Sequence, residues 1–451
     1  MKNLLILILL LISIAVNAQK KQLTDEEKIY GLSLIWQEVN YNYAYMENYN
    51  LDWDSVYTAN IPKVIAAKNL TEYYSILSDI INSFHEEHTT VISPLEVKKM
   101  YGYVPISISY INGKYYVTSF SSEYKDKISI GSILTNVKGY DVDDYYDKFV
   151  FPNCNLAEHI AKRQVGKGRF FAGLLNKKLT ATFLNPNGKT VSLKLKRIPY
   201  FTDTPETIKV PKMYKDTAFL HKKYGDISYI RINSFLNSTP STSFAEIVDS
   251  LKNSKAIIFD VRGNIGGNSQ YATDIVSYFS DQKEMPLWWG QQKVNKGFSK
   301  AAGVYTYLHG DSLAKANNYY ADYITLSHYE GGQYNFPNNT NGELKDIPVI
   351  VLCNYLTVSS TETFILQLKQ IASVTVIGEP TAGSSTMALE VQLPGGGGFN
   401  IATSKALDEN GKPYKYTQPD ITHIPSLEDE KTGTDSVLQI ALDYINNKLK
   451  S

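Results

Sequence analysis

The sequence predicts an α/β protein built in three parts: a helical segment, a β-rich module and a layer of alternating strands and helices. Three observations point to it. Apolar residues recur at helical spacing from Thr24 to about Ser83, and glycine-punctuated alternating stretches run from Pro94 to about Tyr200. After Tyr200, short buried apolar runs take turns with amphipathic ones, the pattern of strands joined by crossover helices. The 451 residues, 43% hydrophobic, are enough for about three domains and their cores. The expected boundaries are 19–98 for the helical domain, 99–200 for the β-rich module and 201–451 for the α/β part, with an insertion at about 283–346.

Residues 1–18, MKNLLILILLLISIAVNA, combine a lysine, an apolar run and small residues at Val16 and Ala18, the pattern of a cleavable export signal with cleavage after Ala18. The run falls short of the ~20 residues that cross a bilayer, so no stable membrane anchor is expected and the mature protein is placed outside the cytoplasm, periplasmic or extracellular. Helices follow, with Ile29, Leu32, Leu34, Ile35 and Val39 on one apolar stripe and Tyr73, Leu77, Ile80 and Ile81 on another. Between them LDWDSVY (51–57) offers an aspartate before Trp53, a helix start with an aromatic plug. VPISISYINGKYYVTSF then carries an Asn112-Gly113 hairpin turn, ISIGSILTNVKGYDV (128–142) reads as two short strands, and KLTATFLNPNGKTVSLKLKRI is a second hairpin. This module resembles a PDZ domain, a fold that adds peptide C-termini as a strand to a sheet edge. Beyond it, DISYIRINSF, KAIIFDV, IPVIVLCN and VTVIG read as strands, and SFAEIVDSLKN, SQYATDIVSYF and SSTETFILQLKQ as helices. The aromatic, glycine-rich 283–346 is expected to be irregular.

Forty-five basic and 45 acidic residues cancel, so no global field draws nucleic acid, and none is expected as a partner. The two cysteines, Cys154 and Cys353, are too few for a disulfide-built scaffold and read as buried thiols.

Three constellations bear chemistry. FHEEHTTV (84–91) sets His85 and His88 three apart, whereas a zinc helix of the H-E-x-x-H kind needs four, so a general base or a solvated turn are the readings that remain. DVRGNIGGNS (260–269) follows a strand and opens a helix. Its glycines bring backbone amides within reach of a ligand, suiting an oxyanion, a phosphate or only a tight turn; its spacing fits neither the Walker loop nor G-x-G-x-x-G. NYLTVSSTETF (354–364) puts Ser359 and Ser360 at a helix start, as caps or as a nucleophile with assisting amides. No G-x-S-x-G elbow is present.

Taken in order, D-V-R-G-N-I-G-G, T-V-S-S-T-E and G-E-P-T-A-G (378–383) resemble the C-terminal processing peptidases, or tail-specific proteases. The likeness extends to LDWDSVY, the E-H-T before a strand and Pro419-Asp420-Ile421. It implies a crotonase-like (ClpP/crotonase) catalytic core with a helical N-terminal domain. By position it also implies Ser359 as nucleophile and an oxyanion hole from the amides of Ser360 and of Gly266 or Gly267. Many members pair the serine with a lysine in G-K-G, but here the place reads Gly383-Ser384-Ser385. A serine needs a proton acceptor. The tricorn-like branch takes a histidine from the helical domain, and E-H-T at 87–89 matches it, so His88 is the expected base and His85 a packing residue. That branch also has a glutamate before Pro-Asp; here Asp408, Glu409 and Asp420 are the acids on offer to orient His88.

The expectation is therefore an exported serine endopeptidase acting on peptide or protein substrates through an acyl-enzyme, with peptide delivered by the PDZ-like module and no metal or cofactor. The alternative is a non-catalytic binder of peptides or apolar ligands on the same fold, whose cavity the 34 tyrosines would line.

Overall fold

The computed structural model describes residues 22–165, 170–203, 205–213, 217–294, 328–383, 386–408 and 410–448. The signal-like residues 1–18 lie outside them, and no helix among the described residues is long and apolar enough to cross a membrane.

Helix α1 (Asp25–Asn42) starts at a capping box in which Thr24 and Glu27 satisfy each other's amides. Helix α2 (Trp53–Ala66) starts where LDWDSVY predicts: the Asp52 carboxylate accepts the Ser55 amide at 3.1 Å, and buried Trp53 donates its indole N–H to the Trp36 carbonyl at 3.0 Å. With α3 (Leu70–Asn82) these helices gather Leu32, Ile35, Val39, Tyr73, Leu77 and Ile81 into one core. The core does not close on itself. Leu393, Phe399, Ile401 and Ala402, from far along the chain, complete it, and strand Gly397–Ala402 pairs antiparallel with β1 (Thr90–Ile92), Thr90 opposite Asn400. Three amphipathic helices leave an apolar face that something must cover, and a late hairpin covers it. The helical segment thus shares its core with residues well beyond 98.

The module that follows is antiparallel: β2 (Ile106–Ile111) and β3 (Lys114–Ser121) form the Asn-Gly hairpin, with φ of 48° at Asn112 and 79° at Gly113, as a type I′ turn demands. Strands β4 (Ile133–Val137), β5 (Leu179–Leu184) and β6 (Thr190–Leu195) extend the sheet around a core of Ile106, Ile108, Val117, Leu134 and Phe183. The first of the two short strands expected over 128–142 begins only at Ile133. Helix α4 (Glu158–Val165) lies along this module and faces the rest of the protein.

The third part is a six-stranded sheet in the order Phe219–Tyr224, β7 (Ile227–Ile232), β8 (Ala256–Asp260), β9 (Val349–Cys353), β10 (Val374–Gly378), Ile421–Thr422. Every pair but the first is parallel. Strands β7, β8 and β9 are buried along their whole length, which is why they read as unbroken apolar runs. One face packs on α5 (Thr239–Leu251), α6 (Ser269–Val276) and α7 (Ser360–Ile371) through Phe244, Phe259 and Phe364, and the other on the C-terminal helix through Ile258, Ile350 and Ala441. Parallel strands end at one edge, so the turns after β8 and β9 meet there. The 283–346 stretch differs from expectation. Where described it forms strands Glu284–Val294 and His328–Pro337, paired antiparallel, the first also bonded to Ser404–Leu407. Their glycines hide the strand signal, and the pairing partner is remote in sequence.

Candidate active site

The two turns at the carboxyl edge of the sheet touch. Asp260 ends β8 fully buried; burial pushes its carboxyl up, but Arg262 and Arg231 overcome this and hold it at about 2. Arg262 also reaches Asp435, at 2.7 Å. The D-V-R half of the first motif is therefore an anchor. Its glycine half is the working part: Asn264 accepts the Gly266 amide at 3.0 Å and donates to the Ile232 carbonyl at 3.1 Å, bending the chain back over β7. Gly266 has φ of 90°, and a Cβ there would lie 2.8 Å from the Ser359 Cβ and 2.9 Å from the Ser360 nitrogen. Only glycine fits.

Ser359 stands at the start of α7 with φ of 59° and ψ of −126°, a conformation a non-glycine residue adopts at a cost of about 1–3 kcal/mol. Its hydroxyl does not cap the helix. The usual reason for a serine here is thereby removed, and a strained, partly exposed hydroxyl stands at a helix N-terminus. Its carbonyl starts the helix instead, accepting from the amides of Glu362 (2.8 Å) and Thr363 (3.2 Å). Ser360 turns its own hydroxyl onto the Gly267 carbonyl. Gly267 bridges to Phe235 through its neighbours' groups, Phe235 amide to Gly266 carbonyl and Asn268 amide to Phe235 carbonyl, so its own amide takes no part in that bridge. Of the two glycines offered for an oxyanion hole, Gly266 already gives its amide to Asn264, and the pair to consider is Gly267 with Ser360.

Glu362, one turn along α7, is fully buried. Its carboxylate accepts from Thr381 Oγ1 (2.5 Å), the Gly383 amide (2.8 Å) and the Tyr414 hydroxyl (3.0 Å), fixing the G-E-P-T-A-G loop against the helix. Ser384 and Ser385 lie outside the described residues.

His88 sits in the turn between α3 and β1, with Nδ1 3.7 Å from Glu86 Oε1. Burial lowers its pKa, but the charges of Glu86, Glu87 and Glu362 and a bond to Glu86 outweigh that, leaving it above the usual 6.5. Glu362 belongs to the helix that Ser359 begins, so the His88 ring feels a charge carried by that helix. His85 goes elsewhere: its Nδ1 donates to the Cys154 carbonyl at 2.8 Å, and its ring stacks on Phe151, 4.3 Å between centroids. Of the acids offered to orient His88, Asp420 accepts the Val376 amide (2.7 Å), Asp408 closes its own turn on the amides of Asn410 and Lys412, and Glu409 lies outside the described residues. Sequence reasoning passed over two residues. Asn264, inside the glycine turn, is a buried amide where a loop residue is ordinarily solvated; Glu86 stood in the quoted H-E-E-H itself, two positions from the histidine it now faces. Among the described residues no group of His, Cys, Asp and Glu is placed to hold a metal ion.

Residues 226–423, which span both turns, match the model of peptidase family S41. The chain carries a peptidase family S41 domain. Similar curated proteins include the carboxy-terminal processing protease CtpA of Bacillus subtilis, 24% identical over 276 residues that cover 59% of this chain and 51% of that protein. Another is a carboxyl-terminal-processing protease of Picosynechococcus, 25% identical over 228 residues, covering 48% and 44%. The chain thus spans about half the length of the curated relatives it matches. In fold, the S41 domain and its companions resemble the crystal structure of mature CPAF, with a TM-score of 0.67 at 16% identity over 94% of this chain and 98% of that one. That likeness covers the helical segment and the β-rich module as well as the domain itself.

Proposed function

We propose that this protein is a serine endopeptidase. The observation that carries the reading is Ser359: a strained serine at a helix start, its hydroxyl uncommitted to capping, pressed against the glycine turn inside the S41 domain. In the proposed reaction Ser359 Oγ bonds to the peptide carbonyl carbon as its proton passes to His88. The C–N bond then breaks, His88 returns the proton to the leaving amine, and water resolves the acyl-enzyme by the same steps. The amides of Gly267 and Ser360, backed by the α7 terminus, receive the oxyanion. Processing near C-termini, as the names of the relatives describe for them, is the proposed substrate preference. The PDZ-like module (99–200) is proposed to bring peptide to the site, and the signal-like residues 1–18 to export the enzyme.

The test is Ser359→Ala. Cleavage of a fluorogenic peptide and labelling by a fluorophosphonate should both vanish while the thermal transition stays intact. Turnover that survives the substitution overturns the assignment, and a folded wild-type protein that neither labels nor cleaves returns the site to ligand binding.

A further inference from the structure

Resting on His88 as the base, we propose that Glu86 is the positioning residue that orients its imidazole, taking the part for which the sequence shows no acid before Pro419-Asp420. Residue 418 is a glutamine, exposed, with its amide donating to Thr422 Oγ1 at 3.0 Å. A glutamine brings no charge there to stabilise an imidazolium. Glu86 can, because its carboxylate is fixed on the side away from the ring's far nitrogen. Oε1 accepts the His88 amide at 3.0 Å and stands 3.7 Å from Nδ1; Oε2 accepts Thr89 Oγ1 at 2.6 Å. Thr89, fully buried, is itself tied to strand Gly397–Ala402 through the Ala402 amide at 3.2 Å, so the carboxylate is braced from both sides of the seam. A braced carboxylate facing Nδ1 selects the tautomer with the proton there and leaves Nε2 to accept from a hydroxyl.

The surroundings decide that Glu86 is charged. Burial alone would protonate it, yet the His88 ring, Thr89 and the His88 amide lower its pKa below the usual value. The charges that act on the imidazole are those of Glu86 and Glu87 from its own turn and Glu362 from α7, all raising its pKa. Burial, with the Glu86 charge adding to it, pushes up the phenols of Tyr43, Tyr45 and Tyr49 on the helical side, so they stay neutral. Lys405, over the Tyr45 ring, is paired with Glu47. Glu86 thus both stands 3.7 Å from the ring and is bonded to its residue's backbone.

The experiment compares Glu86→Gln, Glu86→Asp and Glu87→Gln in the full chain. Glu86→Gln should lower kcat about 10–100-fold with KM nearly constant, and move the acidic limb of the kcat/KM profile down by about one pH unit, as loss of a carboxylate near an imidazole does. Glu86→Asp should recover part of the rate, and Glu87→Gln should shift the limb less. A wild-type limb and rate in folded Glu86→Gln overturn the proposal, as does a larger shift from Glu87→Gln. If Glu86→Gln does not fold, Glu86→Asp decides: the limb must stay near that of wild type, and a fall as large as removal of the charge predicts is the overturning result. His88 titration by NMR in the Ser359→Ala background reads the same coupling without turnover. Retained activity in Ser359→Ala would sink the peptidase reading, whereas inactive Ser359→Ala and His88→Ala with an unmoved Glu86→Gln profile sink only this one.

Discussion

Two seams join the catalytic layer to its neighbours, and their histidines are tuned in opposite directions. At the helical seam His88 faces carboxylates and its pKa is raised. At the seam with the β-rich module, His159 of α4 donates from Nε2 to the Thr381 carbonyl at 3.0 Å and stacks on Tyr416; burial is the larger influence and its pKa falls. Beside it, Arg163 grips Glu379 through two bonds of 2.9 Å and lies over the Tyr355 ring, while Gln164 donates to the Tyr355 carbonyl. The first seam surrounds its histidine with carboxylates; the second is a clamp between neutral or paired groups. Specific charge partners set the direction of the first shift, and desolvation sets that of the second.

The largest effect that would break this contrast comes from removing the proposed base. His88→Ala should cut turnover about 10²–10⁴-fold with a small change in stability, read from peptide cleavage beside a melting curve. Next is the clamp. Arg163→Ala strands the Glu379 carboxylate, 7% exposed, and should cost about 3–5 kcal/mol in denaturant unfolding, with Arg163→Ala/Glu379→Ala less harmful than the sum of the single changes. His85→Ala, which gives up one hydrogen bond and one stacked ring, should cost about 1–2 kcal/mol while leaving turnover within a few-fold.

The smallest and sharpest effect is a pair of opposite slopes. The folded protein holds the His88 proton more tightly than the unfolded chain, so that contribution is complete below pH 6.5 and is lost as pH rises through the folded value. His159 is the reverse. The unfolded chain binds its proton more readily, so stability falls as pH drops below 6.5 toward the folded value. Urea midpoints measured across pH for His88→Gln and His159→Gln should flatten the curve on opposite sides of 6.5. Flattening on the same side would erase the distinction between the seams.

Much of this was legible beforehand, and the reason is local physics. The parallel strands announce themselves by burial on both faces, the Asn112-Gly113 hairpin by its φ requirement, and helix α2 by Asp52. Ser359 and the glycine turn could be named because the order of the motifs is specific. What stayed hidden depends on long-range pairing. Nothing near Phe399 says that it will close the helical core, nothing in Glu284–Val294 reveals Ser404–Leu407 as a partner, and Glu379 looks like any loop acid until Arg163 arrives from α4. The acid beside His88 was missed for another reason. The resemblance points to an acid near Pro419, whereas a turn only a few residues long folds Glu86 back onto its neighbour.

The helices that open the chain rest on Leu393, Phe399, Ile401 and Ala402, and this sets a timetable for synthesis. When a ribosome has released the polypeptide through Lys98, those helices have no lid, and their oily side must wait, solvent-facing or chaperoned, until the hairpin near residue 400 emerges. The turn that carries His88, between α3 and β1, would acquire its final geometry only at that late moment.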